Sequence, residues 1–188
     1  MGNIMIVGVG GQGTLLSSRI LGNVFTSQGY DVKVSEVHGM SQRGGSVVTY
    51  VKYSSRVASP IIEKGEADII LAFEKLEALR SSEYLKKDGI LIVNTQEIEP
   101  MPVITGAVSY PDEIISKLRA QGRNVLEIDA LKFAEEAGNA KAINVVLIGA
   151  LAKSTSIPKE TWLEAIKQTV PAKFLEINLK AFELGYNN

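Results

Sequence analysis

The sequence predicts an α/β domain: a mostly parallel sheet with helices on both faces, continued by a helical C-terminal region. Three observations carry that prediction. Short β-branched apolar runs alternate with helical segments from Asn3 to Ile128, the pattern of strands joined by crossover helices. Runs such as "ADIILAF" and "ILIVN" are apolar without alternation, as strands covered on both faces are. From Ala130 onward the pattern is nearly all helix.

Size and composition fit this class. A chain of 188 residues holds one α/β domain with a real core and is too short for two. No repeat, low-complexity tract or linker divides it, so residues 1–188 are read as a single domain. With 45% hydrophobic and 22% charged residues it is globular rather than disordered. Lys+Arg 20 against Asp+Glu 21 leaves a net charge of −1, without the basic footprint of a nucleic-acid binder. There is no cysteine, which removes a thiol nucleophile, a disulfide and a thiolate-held iron–sulfur cluster. The single histidine, His38, rules out a multi-histidine metal site. The longest apolar stretch, Val145–Ala152, falls far short of the roughly 20 residues of a membrane span. No signal-like segment is visible, so a soluble, cytoplasmic protein is expected.

Taken in order, Asn3–Val7 is the first strand. Leu16, Ile20, Leu21, Val24 and Phe25 then share one helical face, with Arg19, Asn23 and Thr26 opposite. Gly29 ends that helix, and Asp31–Val37 is the second strand, completing a unit expected to be parallel. Val47–Tyr53 and Ala67–Phe73 follow as strands. "EKLEALRSSEYL" is a helix, "KKDG" a turn and Ile90–Asn94 another strand. Pro111 opens a helix that Gly122 closes, and "NVLEID" is the last strand. Ala142–Ala152 is apolar almost all round, so it lies in the core or beneath a partner. Trp162, on a helix beginning near Pro158, reads as a packing anchor. Leu175, Leu179 and Phe182 form the docking face of the final helix, with Glu176–Lys180 as an i,i+4 pair on its other side.

The stretch "VGVGGQGT", Val7–Thr14, carries the first candidate site. Gly8, Gly10 and Gly13, with Gly11 and Gln12 between them, fit the G-x-G-x-x-G spacing of a Rossmann-like turn. Such glycines let the backbone approach a pyrophosphate at a helix N-terminus. They equally serve any crowded strand-to-helix turn. Glu36 stands where an acidic residue would bind ribose hydroxyls, and His38 offers an acid or base without an obvious partner. A stand-alone NAD(P)-dependent oxidoreductase or a nucleotide-sensing module is therefore one reading. Against the dehydrogenase stands the want of room for a substrate domain in a chain this short.

The second loop, in "EVHGMSQRGGSVVTYV", is more distinctive. It follows the second strand and so lies at the carboxyl edge of a parallel sheet, near the glycine turn. Arg43 offers a planar fork to a carboxylate or phosphate, flanked by Gly44 and Gly45. Ser41, Gln42 and Ser46 add hydrogen-bonding groups, and His38 and Met40 complete a segment suited to substrate or to a subunit boundary. The plainer alternative is a long turn whose arginine caps carbonyls. Glu74 and Asn94 end predicted strands at the same edge and are read as cap or turn residues.

These two loops together resemble the gamma-type domain of the 2-oxoacid:ferredoxin oxidoreductases. "GVGGQG" precedes "EVHGMSQRGGSV", and "AFEKLEALR", "NVVLIGAL" and "FLEINLKAFELG" extend the similarity along essentially the whole chain. Having His38-Gly39-Met40-Ser41-Gln42 in place of a tyrosine-glycine loop favours the indolepyruvate-type branch over those acting on pyruvate or oxoglutarate. The resemblance implies CoA-dependent oxidative decarboxylation of a 2-oxoacid, with electrons passing to ferredoxin. It also implies that thiamine diphosphate, magnesium and [4Fe–4S] clusters sit on a larger partner subunit. This chain has no cysteine and no "GDG" segment followed by paired asparagines, so it is expected to be inert alone. Gly8, Gly10, Gly11, Gln12, Gly13, Arg43, Gly44 and Gly45 are then the expected contacts to coenzyme A or another anion. His38, Met40, Ser41 and Gln42 form the expected substrate or interface segment.

Overall fold

A computed structural model describes residues 1–39 and 45–188. Six strands form one sheet: β1 (Gly2–Val9), β2 (Asp31–His38), β3 (Ser46–Ser54), β4 (Ala67–Ala72), β5 (Leu85–Asn94) and β6 (Asn124–Ile128). Their spatial order is β2-β3-β1-β4-β5-β6. Strand β1 runs parallel to β4, β4 to β5 and β5 to β6, whereas β3 is antiparallel to both β1 and β2. All strands but β3 therefore point the same way, as the sequence predicts. One detail differs: β1 and β2 are not neighbours. The chain turns back after β2, and β3 enters between them, pairing Val7 with Val48 and Glu36 with Thr49.

Helix α1 (Thr14–Ser27) follows the glycine turn and buries Ile20, Leu21, Val24 and Phe25, the face marked by the 3.6-residue period. It shares one side of the sheet with α5 (Ala130–Ala137), α6 (Ile143–Lys153), α7 (Lys159–Thr169) and α8 (Leu175–Asn187). The other side is covered by α2 (Lys75–Ser81) and α4 (Ile114–Ala120), over Met5, Val7, Ile70, Leu91 and Val93. A four-residue turn of helix, α3 (Met101–Ile104), lies between β5 and α4.

Three local expectations are corrected. "KKDG" is not a turn before β5 but part of it. Ala67 pairs with Leu85 and Ile69 with Ile90, so Lys86–Gly89 bulges within the ladder. Pro111 does not open α4, which begins at Ile114 after Glu113 in a left-handed conformation (φ 54°). Lys180 does not pair with Glu176; its Nζ donates to the Glu136 carbonyl at 2.7 Å, tying α8 to the end of α5.

The apolar helix α6 is core. It crosses α8 so closely that a Cβ on Gly149 would sit 2.3 Å from the Phe182 carbonyl oxygen. On the facing helix, a Cβ on Gly185 would sit 2.0 Å from that of Val146. Only glycine fits either position. Trp162 is wholly buried and packs edge-on against Phe25, whose ring stacks on Tyr53 at 3.7 Å. No described helix is long and apolar enough to cross a membrane.

Candidate functional site at the carboxyl edge of the sheet

The chain leaves β1 to one side through α1 and later returns to β4 on the other side. The carboxyl ends of β1 and β4 thus flank the switch point where open α/β sheets hold ligands. Here that crevice is filled by the protein itself. Gln12 Oε1 accepts from the Val9 amide at 2.8 Å. Its Nε2 donates to the Phe73 carbonyl at 3.1 Å and to Gln96 Oε1 at 3.3 Å. Gln12 is a latch joining the glycine turn to the ends of β4 and β5. A dinucleotide pyrophosphate seated between β1 and β4 would have to displace it.

The glycines divide into two kinds. A Cβ on Gly8 would lie 2.8 Å from Gln12 Oε1 and 3.0 Å from Phe73 Cβ. At Gly13, where φ is +88°, it would lie 2.9 Å from Asn144 Nδ2 at the start of α6. Both glycines serve packing. Gly11, with φ +98°, is exposed and has nothing within 4 Å of such an atom. It leaves open space for a ligand or partner at the N-terminal end of α1. Gly10 donates its amide to the Gly45 carbonyl at 3.0 Å, which joins the two loops as their positions in the sequence predict.

Met40, Ser41, Gln42, Arg43 and Gly44 lie outside the described residues. Both stems of their loop are well defined. Gly39 donates its amide to the Ser46 carbonyl at 3.0 Å. On the α2 face, Ser46 Oγ donates to Glu77 Oε2 at 2.5 Å, and Arg80 Nη1 donates to Glu77 Oε1 at 2.6 Å. On the α1 face, Glu36 Oε2 accepts from Thr49 Oγ1 at 2.9 Å and from Thr14 Oγ1 at 3.4 Å. His38 Nε2 lies 2.7 Å from Glu36 Oε1. The histidine that lacked a partner in the sequence thus has one two residues away, on the same face of β2. With three contacts on its carboxylate, Glu36 is a poor ribose ligand.

Glu74 and Asn94 are buried and structural, as expected. Glu74 caps α2 by accepting from the Glu77 amide at 2.9 Å, and it also takes the Ile98 amide and the Tyr110 hydroxyl. Burial, reinforced by that carboxylate, pushes the Tyr110 phenol far above its ordinary range. Asn94 donates to the Phe73 carbonyl at 3.0 Å and accepts from the Ala130 amide at 3.1 Å. Glu77, Thr14 and Thr49 are not singled out by sequence. The β-strand period would have placed Glu36 and His38 together, but nothing in the sequence shows that β3 and α2 meet the loop.

No group of three or more His, Asp or Glu side chains among the described residues can hold a metal ion, and the chain has no cysteine. The residues therefore do not fit a magnesium–diphosphate clamp or an iron–sulfur cluster.

Comparison with known proteins gives the chain its family. The chain is 45% identical over 188 residues to the indolepyruvate oxidoreductase subunit IorB of Thermococcus kodakarensis, covering 97% of this chain and 93% of that one. The IorB subunit of Pyrococcus horikoshii is 46% identical over the same shares. Among solved structures, a keto/oxoacid ferredoxin oxidoreductase gamma subunit from Geobacter sulfurreducens has the same fold. Its TM-score is 0.74 at 24% identity, with 100% of this chain and 97% of that one covered. The fold also recurs, with a TM-score of 0.75 at 20% identity, within 31% of a 2-oxoglutarate:ferredoxin oxidoreductase chain from Magnetococcus marinus. A profile described as pyruvate ferredoxin/flavodoxin oxidoreductase matches residues 3–188, and the chain belongs to that family.

Proposed function

We propose that this chain is the small subunit of an indolepyruvate-type 2-oxoacid:ferredoxin oxidoreductase. The complex oxidatively decarboxylates a 2-oxoacid, passes the electrons to ferredoxin and transfers the acyl group to coenzyme A. Identity of 45% and 46% to two IorB subunits across nearly the whole chain is the observation that carries this reading. Thiamine diphosphate, magnesium and the [4Fe–4S] clusters belong to a larger partner, because this chain has no cysteine and its described residues gather no cluster of metal ligands. That group supplies the carbanion and electron-transfer chemistry when bound. The small subunit contributes the carboxyl edge of its sheet.

Coenzyme A, or an anionic group of it, meets this edge at the open Gly11 and the loop from His38 to Gly45. Arg43 is the anion contact, and Gly44 and Gly45 let the backbone approach it. Gln12 filling the switch-point crevice disfavours the alternative of a stand-alone NAD(P) enzyme. Co-expression with the large subunit, followed by a 2-oxoacid panel with coenzyme A and ferredoxin, tests the whole reading. Turnover by the complex, none by the lone chain and a preference for aryl-substituted pyruvates are expected. Oxidation of a 2-oxoacid by the isolated chain would overturn it. Arg43→Ala should weaken coenzyme A binding to the complex about tenfold, as for loss of one charge-assisted hydrogen bond of about 1.5 kcal/mol; unchanged affinity by calorimetry would remove Arg43 from the site.

A further inference from the structure

The carboxyl edge holds three carboxylates, and they are used differently. Glu74 caps a helix and Glu77 neutralises Arg80. Glu36 alone turns an oxygen toward an imidazole. Its own side chain is 15% exposed and that of His38 is 55% exposed. Thr49, opposite it across the ladder, and Thr14, in the first turn of α1, fix the other oxygen. An ionised carboxylate only accepts hydrogen bonds, so the imidazole nitrogen facing it carries the proton. That leaves Nδ1 as the basic nitrogen of neutral His38, one residue before the loop that borders the proposed coenzyme A site.

We propose that Glu36 and His38 form a proton-transfer dyad for the acyl-accepting thiol. Glu36 is the positioning residue: it holds the ring as its Nε2–H tautomer and stabilises the imidazolium that forms. His38 Nδ1 takes the proton of the thiol. The S–H bond breaks, its electron pair stays on sulfur as a thiolate, and the proton then passes from Nδ1 to water. No oxidant or reductant enters this step. Imidazole titrates near neutrality when unperturbed, which suits a base acting on a thiol whose ordinary pKa is about 8.5. An oriented carboxylate behind an imidazole is the arrangement by which general bases elsewhere are held in the working tautomer. The inference rests on coenzyme A reaching this edge, as proposed above.

The test uses the assembled complex with His38→Gln, His38→Ala and Glu36→Gln, each compared with wild type for thermal unfolding and co-purification. Coenzyme A affinity, thiol-independent decarboxylation and thiol-dependent acyl transfer are measured separately. In His38→Gln, acyl transfer is expected to fall about 100-fold, the lower range for a general base. That fall should exceed any change in coenzyme A affinity or in decarboxylation, since neither of those needs the thiol proton removed. Added imidazole should restore part of the rate in His38→Ala. Glu36→Gln should reduce acyl transfer less. Because His38 is the only histidine, its tautomer can be read directly from one pair of imidazole 15N resonances in the full chain. The expected Nε2–H form should be lost or mixed in Glu36→Gln. Acyl transfer unchanged in His38→Gln, a rate loss matched by lost affinity, or no rescue by imidazole would overturn the dyad. If the wild-type complex itself neither binds coenzyme A nor forms an acyl thioester, the functional reading fails first and takes the dyad with it.

Discussion

Two carboxylates, one buried and one partly exposed, grip the two stems of one loop from opposite faces of the sheet, and the contrast between them separates structure from chemistry. Glu77 rises from α2, accepts from Ser46 at the start of β3 and is closed off by Arg80. Its side chain is 5% exposed, and nothing remains on it for a ligand. Glu36, on the edge strand β2, is anchored equally well by Thr14 and Thr49 but keeps one oxygen for His38. The same functional group, bearing the same charge, is a rivet on one face and a support for a titratable ring on the other. What surrounds the second oxygen decides which.

This contrast can be broken from several directions. The largest stability loss should come from a site remote from the loop. Gly149→Ala drives a methyl group into the backbone of α8 and should cost about 3 kcal/mol in urea unfolding. Turnover of the complex should then fall only with the folded fraction. Glu77→Ala should cost about 2 kcal/mol, because it strips Ser46 and Arg80 of their shared acceptor. Its signature is faster amide exchange at Gly45 and Ser46, with α6 and α8 unaffected; uniform exchange across the chain would deny Glu77 a local role.

A third carboxylate sharpens the comparison through pH. The phenol of Tyr110 is held protonated by burial and by Glu74, well above its ordinary pKa of 10.0. A group whose pKa is raised on folding stabilises the fold below its unfolded pKa and loses that contribution as pH rises. Stability should therefore fall as pH climbs beyond about 10. Tyr110→Phe should cost about 1 kcal/mol at neutral pH and flatten that alkaline slope. Tyr50 and Tyr53, also raised by burial, leave a residual slope. An unchanged profile would remove Tyr110 from the account. The smallest stability effect belongs to Glu36→Gln, below about 1 kcal/mol, because the amide oxygen still accepts from Thr49 at this partly exposed position. A large unfolding penalty there would make Glu36 a second rivet.

Much of the fold is legible in the residues. The amphipathic stripe of α1, the apolar interiors of β4 and β5 and the all-apolar α6 follow from periodicity, since burial on one face or on both writes different patterns. The two loops are legible through their glycines and their places after strands. Less legible are features created by neighbours distant in sequence. The insertion of β3 between β1 and β2 leaves no local mark, because an antiparallel and a parallel neighbour both accept β-branched residues. Lys86–Gly89 reads as a turn until β4 fixes its register. Gln12 reads as a ligand-facing residue until the Phe73 carbonyl and Gln96 come within reach.

The amino-acid sequence alone determined the class of fold, the two glycine-bearing loops and their meeting at one sheet edge. Those follow from local period and from the positions of glycine, neither of which needs long-range contacts. Tertiary structure decided which glycines pack and which stays open, that Gln12 fills the crevice, and that His38 rests on Glu36 while Glu77 is spent on Arg80. Each of these depends on where side chains and neighbouring elements come to lie in the folded chain. Hydrogen bonds of about 3 Å discriminate among partners only once the strands and helices have been set side by side.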